Sequence, residues 1–231
     1  VVARLGGPLE ARPLHFVWLL DCSGSMRLDG RIQALNTAVV ETLPLMREVA
    51  DANPHAALLV RAVAFSTGAR WHIADPTPVH DVVWRDLQPG GDTDLGAALS
   101  LVAGALAVPP MEERALPPVL VLVSDGGPTD DYRAGLRALA ATPWGPKAVR
   151  VAIAVGRSAD YEVLQEFLGP DAGRRPIPAG SPEELIDSIR WTSTIVVRDA
   201  PLDVAGTVRN PPAKPPPPSD MLVWGEPNPG G

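Results

Sequence analysis

Two kinds of apolar run alternate along the chain. Residues 15–20 (HFVWLL), 119–123 (VLVLV) and 149–155 (VRVAIAV) are apolar or β-branched at nearly every position. Unbroken runs of this length suit central strands of a parallel sheet covered on both faces. Residues 58–65 read as another strand, and 70–73 as a shorter neighbour at an edge. Between them the apolar positions recur every three or four residues. Ile32, Leu35, Val39, Leu43, Met46 and Val49 form one such stripe, enough for one buried helix face. Pro44 lies inside it and predicts a kink or a split. Leu95, Ala98, Leu99, Val102 and Leu106 mark a second helix. Tyr132, Leu136 and Leu139 mark a third, and Val163, Leu164 and Phe167 a short fourth. The last helix opens on Ser181-Pro182-Glu183-Glu184, a capping box with proline at the first helical position. Its apolar face is Leu185, Ile186 and Ile189, with Ile195 and Val196 as possible extensions. Strands alternating with helices predict an α/β fold, a doubly wound and mostly parallel sheet flanked by helices.

After Asp199 the periodicity stops. Pro201, Pro211, Pro212 and the run 215–218 fit neither a helix nor a central strand. The expected division is therefore a domain at 1–200 and a proline-rich tail or linker at 201–231. The tail carries a small apolar island, Met221-Leu222-Val223-Trp224, followed by Gly225-Glu226-Pro227. The island predicts that a semi-rigid strap docks Trp224 on the domain or on a second copy, with Glu226 in reach of a metal site. No internal repeat is present.

Composition narrows the function classes. The 231 residues are 45% hydrophobic, with a formal net charge of −7. No segment concentrates Lys and Arg, which argues against nucleic acid or an anionic membrane as partner. No stretch supplies the ~20 apolar residues that span a bilayer. Residues 1–13 carry Arg4 and Arg12 but no apolar core of signal-peptide length. The single cysteine, Cys22, excludes an internal disulfide and fits a reducing compartment, so the expected location is cytoplasmic.

Open α/β sheets bind ligands at the carboxyl ends of strands where the winding reverses, and the distinctive residues fall there. The first strand runs into Asp21-Cys22-Ser23-Gly24-Ser25. Gly90-Gly91-Asp92-Thr93-Asp94-Leu95 sets a threonine on a glycine turn just before a helix. The strand at 119–123 ends in Ser124-Asp125-Gly126. Asp21, Ser23, Ser25, Thr93 and Asp125 are thus expected at one edge of the sheet. All are oxygen donors. Such a set favours Mg²⁺, with Mn²⁺ or Ca²⁺ as alternatives, over zinc or copper. The hydroxyls bind directly, and the two aspartates bind directly or through water. Two carboxylates only balance a divalent charge, so a Glu or Asp from a partner protein can fill an open position.

Asp-x-Ser-x-Ser, the isolated Thr and the later Asp-Gly resemble the metal-ion-dependent adhesion site (MIDAS) of von Willebrand factor A domains, across roughly residues 13–197. The resemblance implies a Rossmann-like fold and a protein-interaction role. More narrowly, Leu-Asp-Cys-Ser-Gly-Ser-Met, Ser-Asp-Gly-Gly-Pro-Thr-Asp-Asp-Tyr and residues 154–160 resemble the bacterial tellurium-resistance TerY-type subfamily. That likeness implies a protein kinase and a metal-dependent Ser/Thr phosphatase as partners. Some of those relatives have a cysteine-rich C-terminal region, which this tail, lacking cysteine, does not share.

Other groups have plainer roles. Thr129 and Asp130 stand where a helix N-cap belongs. Asp92 and Asp94 line the rim of the site or face solvent. With no His or Lys adjacent in sequence, Cys22 is expected to be a buried spacer. His15, at the far end of the first strand, and His55, His72 and His80 are expected to be structural or surface groups, and the tryptophans to serve the core. Two further functions share the site. A metal-assisted phosphatase would use Asp21 as nucleophile, but such enzymes need a second carboxylate two positions on, where Ser23 stands. A subunit of a chelatase-like ATPase machine would need another chain for hydrolysis, since no Gly-x-x-x-x-Gly-Lys-Ser/Thr loop is present.

Overall fold

A computed structural model describes residues 11–170 and 174–199. Six strands form one sheet in the order β3-β2-β1-β4-β5-β6. The strands are β1 (Arg12–Asp21), β2 (Ala56–Ser66), β3 (Gly68–Pro78), β4 (Val119–Ser124), β5 (Val149–Val155) and β6 (Ile177–Ala179). All neighbours are parallel except β2 and β3, which pair antiparallel. Five helices connect or flank them: α1 (Arg31–Asp51), α2 (Leu95–Ala105), α3 (Tyr132–Ala140), α4 (Tyr161–Leu168) and α5 (Pro182–Asp199).

Side-chain alternation on β1 sorts the core into two layers. Leu14, Phe16, Trp18 and Leu20 face α1 and α5, joining Ile32, Leu35, Val39, Leu43, Met46, Leu185 and Ile189. Val17 and Leu19 face the other layer, with Leu95, Leu99 and Val102 of α2, Leu139 of α3, and Leu164 and Phe167 of α4. Because both faces are covered, β1 and β4 have no polar side to show, which is why the sequence there reads as an unbroken apolar run. The expected doubly wound sheet is the observed one.

Several local expectations change. The edge strand β3 spans 68–78 rather than 70–73. Its Pro76 and Pro78 hide it from a strand reading, yet an edge position tolerates prolines whose missing N–H would face outward. Helix α1 is continuous through Pro44, so the helix is not split. Leu43 and Met46, on either side, are buried against the sheet and α5 while Pro44 itself is exposed. Burial of that stripe outweighs the lost hydrogen bond. His15 lies inside β1 rather than opening it, and its Nε2 meets Glu112 Oε2 at 2.9 Å. The three-residue β6 was too short to show any period. Trp18 serves the core as expected, packing edge-on to both Phe16 and Trp84.

The Ser181 cap is present: Ser181 Oγ accepts from Glu184 N–H at 3.2 Å, and Glu184 Oε2 accepts from Gly180 N–H at 2.6 Å. None of the described helices is long and apolar enough to cross a membrane. The domain boundary at 200, the proline-rich segment, the island at 221–224 and Glu226 lie outside the described residues.

Candidate metal centre

Strands β2 and β4 flank β1 on opposite sides, so the winding reverses at β1, and its carboxyl end opens a crevice there. Leu20 pairs with Val123, which brings Asp21 beside Ser124 as both strands end. Ser124 Oγ–H donates to Asp21 Oδ2 at 2.6 Å, and Ser23 N–H donates to Asp21 Oδ1 at 2.8 Å. Asp21 is fully buried. Burial pushes its carboxyl above the ordinary range; the Ser124 and Ser23 hydrogen bonds pull it back in part, and the Asp125 charge adds to the rise.

The chain after β1 curls into a 3₁₀ segment, Gly24–Gly30. The curl sets Ser23 Oγ 3.0 Å from Ser25 Oγ, and Ser25 Oγ–H donates to Asp125 Oδ1 at 2.7 Å. Asp21, Ser23, Ser25 and Asp125 are therefore one connected cluster. Thr93 joins it through backbone. Gly90 N–H donates to Cys22 O at 2.7 Å, and Gly24 N–H to Gly91 O at 3.0 Å. Gly91 sits at φ +82°, and a Cβ there would come within 2.5 Å of Thr67 Oγ1, so only glycine fits this crossing. Thr93 is buried, held by its N–H to Thr129 Oγ1 (2.9 Å) and by Thr129 N–H to Thr93 O (2.9 Å). Its hydroxyl forms no hydrogen bond with the other four residues.

The neighbouring acids hold loops and helix starts. Asp94 accepts from Gly68 N–H at 2.7 Å and from Thr129 Oγ–H at 2.7 Å. The Gly68 bond leads in holding its carboxyl below the ordinary value. Asp92 accepts from Thr67 Oγ–H. Asp130 is a cap, but of a different helix than its position in sequence implies: it accepts from Gly96 N–H and Ala97 N–H, both 2.8 Å, at the start of α2. Asp131 caps α3, accepting from Ala134 N–H at 3.0 Å. Cys22 is a buried spacer whose thiol burial pushes up to about 12.

Arg31 is the residue that sequence reasoning missed. It opens α1, is itself buried, and its Nη1 donates to Asp125 Oδ2 at 2.7 Å. Nothing local in the sequence signals a contact across 94 positions. Ser124 stands beside Asp125 in sequence, and only the fold shows that it holds Asp21.

The donor set fits a small hard cation. No group of three or more His, Cys, Asp or Glu among the described residues could hold a metal, so most ligands here would be hydroxyls. Adjacent oxygens of an octahedral shell with ~2.1 Å bonds lie ~3.0 Å apart, and the two serine oxygens stand at 3.0 Å. Ser23, Ser25 and Thr93 would offer hydroxyls, and Asp21 and Asp125 the balancing charge.

A family model described as von Willebrand factor type A domain matches residues 16–177. Among solved structures, a von Willebrand factor type A protein from Catenulispora acidiphila is 15% identical at a TM-score of 0.60, covering 81% of this chain and 43% of that one. Proximal thread matrix protein 1 of the mussel byssus, with its MIDAS motif occupied by zinc, is 16% identical at 0.57, covering 80% and 48%. The PilB minor pilin of Streptococcus sanguinis is 17% identical at 0.57, covering 84% and 64%. This chain thus spans less than two thirds of each, and at these identities the likeness is one of fold. No curated protein matches it.

Proposed function

Since the chain belongs to the von Willebrand factor type A family, we propose that it is a metal-dependent protein-interaction module that docks an acidic residue of a partner. The observation that carries this reading is the four-residue cluster at the ends of β1 and β4, with Ser23 Oγ and Ser25 Oγ 3.0 Å apart and Ser25 Oγ–H donating in turn to Asp125. A bound divalent ion, Mg²⁺ by preference, supplies a Lewis-acid position for the partner's Glu or Asp. The chain's own residues do the rest. Ser124 and Ser23 fix both oxygens of Asp21. The two serine hydroxyls stand 3.0 Å apart, and Thr129 holds the loop that presents Thr93.

The module is not an enzyme in this reading. A phosphatase nucleophile at Asp21 needs a free oxygen and a nearby proton carrier. Here both oxygens are engaged, and position 23 is a serine. The TerY-like motifs point to a bacterial, cytoplasmic complex with a protein kinase and a metal-dependent phosphatase. The alternative of a subunit in a chelatase-like ATPase machine uses the same site with other partners.

The test is capture of partners by the full chain, with and without EDTA, alongside Thr93→Ala. Partners should be retained in Mg²⁺ and lost in EDTA, and Thr93→Ala should weaken retention. The hydroxyl lost in Thr93→Ala interacts with a charged centre, a contact worth ~1.5–3 kcal/mol. Equal retention in EDTA contradicts a metal-bridged interface.

A further inference from the structure

Asp125 has two oxygens with different neighbours. Oδ1 accepts from Ser25, on the side where the cluster gathers, and Oδ2 accepts from Arg31 at 2.7 Å. Both members of the ion pair are almost wholly enclosed, at 7% and 0% side-chain exposure. Asp29 stands 3.7 Å from Arg31 Nη2 but is about half exposed, so water screens it. Gly156, at the end of β5, closes the other side. It sits at φ +71°, and a Cβ there would lie 3.0 Å from Arg31 Nη2. The chain leaves out a side chain where the guanidinium needs room.

A guanidinium stays charged at every pH a protein survives. It therefore repels a divalent cation bound on the far oxygen of the same carboxylate, and the repulsion is felt strongly where water is excluded. We infer that Arg31 is a resident counter-cation of the metal site, weakening its hold on the divalent ion while leaving the loaded site net positive toward an acidic ligand. Asp21 and Asp125 contribute −2, the ion +2 and Arg31 +1. Without Arg31 the same ligands would bind metal more tightly and present a neutral site. This inference rests on the metal-docking reading and deepens it by naming what sets the balance between metal and ligand.

The opposite role is equally concrete: Arg31 could simply aim Asp125, in which case its loss weakens metal binding. The two roles differ in sign. Mn²⁺ binding to the full chain, measured by calorimetry and by the Mn²⁺ EPR signal at low salt, separates them using Arg31→Met and Arg31→Lys. Arg31→Met should bind Mn²⁺ about tenfold more tightly than wild type, with Arg31→Lys close to wild type. In EDTA, Arg31→Met should melt at lower temperature because Asp125 loses its counter-charge, and Mn²⁺ should raise its melting temperature by more than it raises the wild type's. Unchanged or weaker Mn²⁺ binding by Arg31→Met overturns the inference while leaving metal docking intact. Absence of Mn²⁺ binding by the wild type overturns the docking reading itself. If Arg31→Met does not fold even in Mn²⁺, Arg31→Gln takes its place with the same two opposed outcomes.

Discussion

Asp21 is a carboxylate held away from water, and its pH behaviour follows from that. The unfolded carboxyl titrates near 3.8, and burial raises the folded one. The folded chain then binds this proton more tightly than the unfolded chain, so ionisation subtracts from stability. In EDTA the contribution of Asp21 is most favourable below 3.8 and declines as pH rises through the folded value. Urea melts across that window should show the decline in wild type and a flatter profile in Asp21→Asn; parallel profiles would contradict it. Added divalent metal should stabilise only above the window, where Asp21 is ionised. Cys22, two residues before Ser25's neighbour Gly24, behaves differently. With its thiol pushed up to about 12 by burial, it should resist alkylation at neutral pH in the native protein and react once unfolded, as a mass-spectrometric time course would show. At this scale the sequence is most informative where a motif is local. Asp21, Ser23 and Ser25 fall within five residues, and their grouping follows from one turn. Arg31–Asp125 joins the start of α1 to the end of β4, and only packing reveals it. That pair also changes how variants behave: Asp125→Ala removes the buried partner of the Arg31 guanidinium and should cost ~3–5 kcal/mol, so it tests stability as much as metal binding.

The helices show how side chains serve elements other than their own. Asp130 precedes α3 yet caps α2, because the loop after β4 passes the start of α2. Asp130→Ala should cost ~1–2 kcal/mol and also weaken Mn²⁺ binding, since the same turn carries Thr93. Asp131→Ala, which uncaps α3 alone, should lower stability without touching metal affinity. Urea melts and calorimetry on the two variants distinguish these outcomes. Pro44 in α1 is a local defect kept by packing. Pro44→Ala should stabilise by ~2 kcal/mol, the ~3 kcal/mol helix penalty less ~1 kcal/mol of lost unfolded-state restriction. A fall in melting temperature would contradict that. Elements with strong periodicity were legible in the sequence: β5 has the bounds its apolar run predicts, and the helical stripes mark α2, α3 and α4. The edge strand was legible only in part, because its alternation is broken by prolines and it buries one face incompletely. The short β6 has too few residues for a period of two to show.

For the whole molecule, the order of strands does what no single motif can. With β1 central and β2 and β4 on its opposite sides in the sheet, the ends of β1 and β4 and the loop before α2 meet at one edge. The doubly wound sheet was readable from alternation alone, but the pairing order was not, since several orders satisfy the same pattern of runs. The central claim is that this edge holds a divalent ion. Calorimetric titration of Mg²⁺ and Mn²⁺ into the full chain and into Asp21→Asn, with Zn²⁺ in parallel, tests it most directly. The account predicts one site per chain in wild type, and loss of binding in Asp21→Asn with the circular dichroism spectrum unchanged. Wild-type protein that binds none of these ions, or Asp21→Asn that binds them as well as wild type, would contradict it.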